Sequence, residues 1–158
     1  MDLEQIRKDV ISGKPMEEIV GKFDWQEFEE LVAEIFENNS FKVKQNFRFK
    51  AKRRYEIDLV AIKSKNVLCV DCKEWGRGRY KKSGLLTAVK KQEERVNQIE
   101  KFLKMNLMAR QLLKLGLDYK IHPIIVTWLQ EDLIKESKTF VVPVWKLNSF
   151  LVDIYNYI

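Results

Sequence analysis

The sequence predicts a mixed α/β fold, a central sheet flanked by helices, on three observations. An amphipathic helical pattern is followed by three strand patterns with short connectors, which read as an antiparallel meander. A long helical stripe then separates these strands from two more and from a closing helix, an order that packs naturally as a sheet with helices on its faces. Hydrophobic residues make up 46% of the 158 residues, and apolar runs recur along the whole chain, enough for one well-formed core.

Each element has its own signal. Residues 1–22 form a short helical N-terminal extension of two weak pieces meeting near Gly13 and Pro15, ahead of a single domain over residues 23–158. Asp24 is a good N-cap, and Glu27 three residues on completes a capping box. Phe28, Leu31, Val32, Ile35 and Phe36 then repeat with helical spacing, and Asn38-Asn39-Ser40 ends the run. Strands are expected over Phe41–Lys50, Tyr55–Lys63 and Val67–Lys73, joined by turns at Ala51–Arg54 and Ser64–Asn66. A basic loop follows, from Gly76 to Gly84. From Leu85 the apolar positions Val89, Val96, Ile99 and Leu103 share one helical stripe, which continues or restarts through Leu112 and Leu113 and stops at Gly116. Lys120–Trp128 reads as a buried strand, Thr139–Val144 as a short strand interrupted by Pro143, and Trp145–Tyr157 as an amphipathic helix. No internal repeat, low-complexity tract or linker is present.

Several classes are excluded. Aromatic content of 11% argues against intrinsic disorder, and no run approaches the roughly 18 apolar residues of a membrane span. Met1–Arg7 lacks the apolar stretch of a secretion signal, and two cysteines are too few for a disulfide scaffold, so a reducing, cytoplasmic setting is expected. Net charge is +6, but it is unevenly placed. Seven basic residues and no acid lie between Asn38 and Tyr55, and six more and no acid between Trp75 and Gln92. Elsewhere 16 basic residues face 23 acidic ones. Two basic segments on an otherwise acidic chain suit a polyanion partner such as DNA, with Lys52, Arg53, Arg54, Arg77, Arg79, Lys81 and Lys82 as its contacts.

Strand alternation isolates a possible centre for chemistry. In the second strand Ile57 and Leu59 are expected on one face, with Glu56, Asp58, Val60 and Ile62 on the other. In the third, Val67, Cys69, Asp71 and Lys73 share a face opposite Leu68, Val70 and Cys72. Asp58 and Asp71 therefore interrupt apolar faces of two hairpin-connected strands, where paired carboxylates repel unless a cation holds them. The plain alternative for these residues is an Asp71–Lys73 cross-face pair at a fraying strand end and an Asp58 that caps a turn.

Those residues give the sequence its resemblance to the PD-(D/E)xK nuclease superfamily, and more narrowly to Mrr-like restriction endonucleases and archaeal Holliday-junction resolvases. The resemblance runs from Phe23 to about Leu103. It rests on Phe28-Glu29-Glu30-Leu31-Val32, Glu56-Ile57-Asp58-Leu59-Val60-Ala61 and Asp71-Cys72-Lys73. Ile57 stands where many relatives carry proline, and Asp71 where many carry Glu or Gln. The resemblance implies a restriction-endonuclease-like sheet with an αβββαβ core. It also implies catalysis by Glu29, Asp58, Asp71 and Lys73, with Asp58, Asp71 and Glu29 holding Mg²⁺, or Mn²⁺ in its place. Helical geometry selects Glu29 among the acids of the first helix, because it borders the apolar stripe while Glu30, Glu34 and Glu37 point away. Gln92 is a further candidate, an amide in the apolar register of its helix that needs a partner if buried.

Other signals carry less. Cys69 and Cys72 have CxxC spacing but sit three apart in a strand and so face opposite sides, where buried structural cysteines are the default. His122 is the only histidine and lacks the partners of a catalytic triad. Gly76-Arg77-Gly78 is too short for a phosphate-cradling loop, and Trp75 and Tyr80 serve equally as packing anchors or base-stacking rings. The expectation is a metal-dependent DNA endonuclease, with a homodimer favoured if both strands are cut and no membrane partner. Its rivals are a nuclease-like fold that binds nucleic acid without cutting and an assembly subunit. An intact Asp/Asp/Lys set argues against the first, since a pure binder has no use for carboxylates facing phosphate.

Overall fold

The computed structural model describes residues 3–14, 18–19, 24–73, 82–128 and 132–158. Helix α1 (Leu3–Ile11) is followed by α2 (Trp25–Asn38), the strands β1 (Lys42–Lys50), β2 (Arg54–Lys63) and β3 (Asn66–Lys73), and the long helix α3 (Lys82–Met105). Then come α4 (Leu107–Leu112), β4 (Lys120–Thr127), β5 (Ile134–Glu136), β6 (Thr139–Pro143) and α5 (Val144–Val152), with a closing 3₁₀ turn at Ile154–Asn156. One six-stranded sheet has the order β1–β2–β3–β4–β6–β5. The β1–β2–β3 meander is antiparallel, β3–β4 and β4–β6 are parallel, and β5 closes the edge antiparallel to β6. This is the mixed sheet flanked by helices that the sequence predicts, consistent with a restriction-endonuclease-like fold.

The expected cap of α2 is present. Asp24 accepts the Glu27 N–H at 2.8 Å, and the Glu27 side chain accepts the Asp24 N–H at 3.1 Å, an arrangement worth on the order of 1 kcal/mol. The buried stripe of α2, Phe28, Leu31, Val32 and Phe36, packs with Leu59, Ala61, Leu68, Val70 and Cys72 on one face of the sheet, where α5 adds Leu147, Phe150 and Leu151. The opposite face buries Tyr55, Ile57, Val60, Ile62, Val67 and Cys69 under Val96, Ile99 and Leu103 of α3. Leu85, Ala88 and Val89 extend that helix over Ile125 and Val141. The strands between the two layers are buried on both faces, which is why β3 reads as a nearly unbroken apolar run.

Three expectations are corrected. Ile57 and Leu59 do not share a face: Tyr55 and Ile57 lie with Val60 and Ile62 under α3, whereas Leu59 and Ala61 face α2. The alternation slips at Asp58, opposite Asn46, whose backbone takes a left-handed φ of 51° and drops out of the β1–β2 pairing. The long helix starts at Lys82 rather than Leu85, and it restarts after Met105, where the Asn106 side chain caps Ala109 N–H at 2.9 Å. The closing helix ends at Val152 instead of running to Tyr157, and Val144 opens it directly behind Pro143. The short edge strand β5 is an addition. Glu93 of α3 pins its turn by accepting from Ser137 Oγ, Lys138 N–H and Thr139 Oγ1. Ile19, from the N-terminal stretch, is itself part of the α2-side core. Among the described residues, no helix is long and apolar enough to cross a membrane.

Candidate active site

The slip in β2 decides what Asp58 can reach. Paired residues of β2 and β3 run from Lys63–Asn66 to Leu59–Val70 and stop there. One residue further on, Asp58 Oδ2 accepts the Cys72 backbone N–H at 2.9 Å. The side chain thus replaces a ladder bond and lies across the end of β3 beside Asp71. The plainer alternative, Asp58 as a turn cap, does not hold: its carboxylate caps a strand. Its carboxyl lies beside that of Asp71. Burial pushes the Asp58 pKa up to about 7, opposed by the Cys72 N–H and reinforced by the charges of Asp71 and Glu29.

Asp71 lies on the α3 side of the sheet, buried to 7% residual exposure. Lys73 Nζ is 3.3 Å from its Oδ2, a charge contact that does not make a hydrogen bond, so among the described residues this buried oxygen has no donor. Arg95 Nη1, from α3, stands 3.6 Å from Oδ1. A buried carboxylate oxygen without a donor, beside a second carboxyl forced towards its neutral form, suits a hard cation.

Glu29 approaches from the other side. It rises from α2, half-buried as the helical geometry predicts, with Glu30 and Glu34 exposed. Burial raises its pKa, the Trp25 side-chain hydrogen bond opposes this, and the charges of Glu56 and Asp71 add to it. Glu29 feels Asp58 and Asp71 electrostatically, but among the described residues no three His, Cys, Asp or Glu side chains form a metal-holding group. The physical reason is the layering: α2 covers the face that buries Cys72, while Asp71 points to the face under α3. The donor set at hand is the Asp58–Asp71 pair, which matches an ion such as Mg²⁺ that keeps several of its own waters.

Gln92 is fully buried and its partners are found. Nε2 donates to Cys69 O at 2.8 Å and to Ile124 O at 3.3 Å, and Oε1 accepts from Arg95 Nη1 at 3.2 Å. With both amide hydrogens committed, Gln92 ties α3 to β3 and β4 rather than presenting a free donor. Arg95 escaped the sequence reading. Its one signal was its place a helical turn after Gln92, on a helix already placed near Asp71.

The first basic segment forms the β1–β2 hairpin tip. Lys52 lies 3.6 Å from Glu94, Arg53 stacks 4.7 Å above the Tyr55 ring, and the Tyr55 hydroxyl donates to Glu94 at 3.3 Å. Arg54 is exposed and lines an open groove with Arg48, Phe49, Lys50, Tyr55 and Glu56. Arg77, Arg79, Lys81, Trp75 and Tyr80 lie outside the described residues, and Lys82 is described only as the first residue of α3. Cys69 and Cys72 are free, buried and on opposite faces, and burial pushes the Cys69 thiol up to about 12, far from a metal-binding thiolate. His122 Nε2 is 3.1 Å from Asn66 Oδ1 and burial lowers its pKa, a structural pairing between β4 and β3.

Comparison with known proteins gives two findings. The NERD family, described as the nuclease-related domain, matches residues 24–128, a span that holds Glu29, Asp58, Asp71, Lys73, Gln92 and Arg95. An uncharacterized protein of Archaeoglobus fulgidus is 31% identical over 135 residues, covering 85% of this chain and 94% of that relative.

Proposed function

The chain belongs to the NERD (nuclease-related domain) family, and from that membership we propose that it is a metal-dependent DNA endonuclease that hydrolyses phosphodiester bonds. The observation that carries this reading is the Asp58–Asp71 pair where the pairing of β2 with β3 ends, with the Lys73 ammonium 3.3 Å from Asp71. Asp58 and Asp71 would hold Mg²⁺ or Mn²⁺, with Glu29 beyond them.

When bound, the metal would lower the pKa of a coordinated water and offset charge on the scissile phosphate. The remaining work belongs to the chain. Asp71 keeps Lys73 at the site, where it would orient or deprotonate the attacking water, or stabilise the negative charge that grows on the phosphate oxygens. Glu29, with its raised pKa, is suited to hold or accept a proton at the rim. The Asp58 hydrogen bond to Cys72 N–H fixes one carboxylate to the backbone, so that the pair does not splay apart. The hairpin tip with Lys52, Arg53 and Arg54, and the segment with Arg77, Arg79, Lys81 and Lys82, would contact the DNA backbone. Cutting both strands would call for two such sites, hence a homodimer.

The test is incubation of the purified chain with labelled duplex, junction, flap and single-stranded DNA in Mg²⁺, Mn²⁺ or EDTA. Divalent-dependent cleavage of at least one form is expected. Tight, salt-sensitive binding of these DNAs without cleavage of any would replace the nuclease reading with that of a binding module.

A further inference from the structure

Arg95 occupies a place that a cation at Asp71 would also need. Its Nη1 lies 3.6 Å from Asp71 Oδ1, while Lys73 stands 3.3 Å from Oδ2, so the carboxylate is bracketed by two positive charges. The guanidinium is not loosely placed. The same nitrogen donates to Gln92 Oε1 at 3.2 Å, and the Gln92 amide is fixed to Cys69 O and Ile124 O on two neighbouring strands. The Arg95 side chain retains 25% exposure, so one flank of it faces solvent and it has room to withdraw.

Two consequences follow from Coulomb's law. A guanidinium this close to a buried carboxylate satisfies much of its charge, and a dication arriving at Asp71 is repelled by it unless it moves. Arg95 has a second anchor: Lys73 follows Asp71 on its own strand, whereas Arg95 comes from α3 and is held through Gln92.

We propose that Arg95 is a positioning residue that serves as the resident counter-ion of Asp71, holding the carboxylate in place in the metal-free protein and yielding to a divalent cation. Arg95 therefore lowers the intrinsic metal affinity of the site. The proposal rests on the metal-binding part of the preceding reading, but not on DNA cleavage.

The sign of one measurement separates this from a purely structural role. Mn²⁺ is titrated against the wild-type chain, Arg95→Met, Arg95→Gln and Arg95→Lys without DNA, and free Mn²⁺ is read by its paramagnetic resonance signal. Both neutral variants should bind Mn²⁺ about tenfold more tightly than wild type, on the scale of one nearby charge removed at a partly screened site. Arg95→Lys should stay near wild type. Arg95→Gln keeps a donor for Gln92, so it reports the same sign if Arg95→Met fails to fold. Unchanged or weaker Mn²⁺ binding in a folded neutral variant overturns the counter-ion role, and intact cleavage in that case leaves the nuclease reading standing. Tighter binding in the neutral variants without any DNA cleavage supports the counter-ion and removes the nuclease. Absence of Mn²⁺ binding in wild type and variants alike overturns the proposal.

Discussion

Asp58 Oδ2 accepts the backbone N–H of Cys72 at 2.9 Å, so the side chain of one strand completes the ladder of the next where main-chain pairing has ended. That bond fixes the distance between β2's carboxyl and the Asp71 carboxyl one residue before Cys72. It also explains why a buried, partly desolvated acid survives at this point: the amide offsets part of the cost of burial.

The raised pKa makes metal-free stability depend on pH. An ordinary Asp loses its proton near 3.8, while native Asp58 keeps it to about 7. Between these values the folded state binds more protons than the unfolded state, so stability is present at low pH and is lost as pH rises towards 7. Asp58 keeps some solvent contact, so the loss should be about 1–2 kcal/mol rather than the full shift. Urea unfolding in EDTA at pH 5 and pH 8 should show this loss in wild type and not in Asp58→Asn, whose side-chain oxygen can still accept from Cys72. An equal pH response in the two proteins would refute the assignment.

Removing the Gln92 amide tests the tie between α3 and the sheet. Gln92→Leu preserves volume but leaves Cys69 O and Ile124 O without their side-chain donor and Arg95 without its acceptor. A destabilisation of about 1–3 kcal/mol is expected from the uncompensated polar groups. A urea midpoint equal to wild type would show that these bonds contribute nothing.

Much of this arrangement is visible in the sequence because it is local. Strand alternation and short turns place Asp58, Asp71 and Lys73 on adjacent strands, and a 3.6-residue period selects Glu29 and buries Gln92. Two features are not local. The slip at Asp58 depends on Asn46, twelve residues earlier, adopting a left-handed backbone across the β1–β2 pair. The approach of Arg95 depends on how α3 crosses β3 and β4, which no period within the helix encodes. The three-residue strand β5 is too short to show alternation, and it is held by Glu93 from a distant helix.

DNA binding should be governed by charge. If about five phosphates are contacted, log affinity against log salt should fall with a slope near −4 to −5 on duplex DNA, from roughly 0.9 per contact. Charge reversal of Arg53 and Arg54 should weaken binding, as should reversal of Arg77 and Arg79. Arg54 should contribute more than Lys52, which already faces Glu94. Fluorescence anisotropy across a salt series measures this; a flat slope, or wild-type binding by both double mutants, removes the basic-face argument.

Fold, binding and chemistry should come apart at Asp71 and Lys73. Asp71→Asn is nearly isosteric, so the fold should persist while metal affinity and cleavage are largely lost. Its metal-free stability should change little, because the relief of repulsion with Asp58 is offset by the lost charge contacts of Lys73 and Arg95. Lys73→Met keeps the aliphatic stem and deletes the ammonium 3.3 Å from Asp71. If the two basic segments dominate affinity, DNA binding should stay within a few-fold of wild type. Cleavage should fall by ~10² or more, the scale of losing one general acid–base or electrostatic catalyst. Single-turnover cleavage at saturating protein separates the two effects. A Lys73→Met variant that cuts at the wild-type rate while Asp71→Asn is dead would make Lys73 a structural partner of Asp71. Wild-type rates in both would place the chemistry elsewhere in the chain.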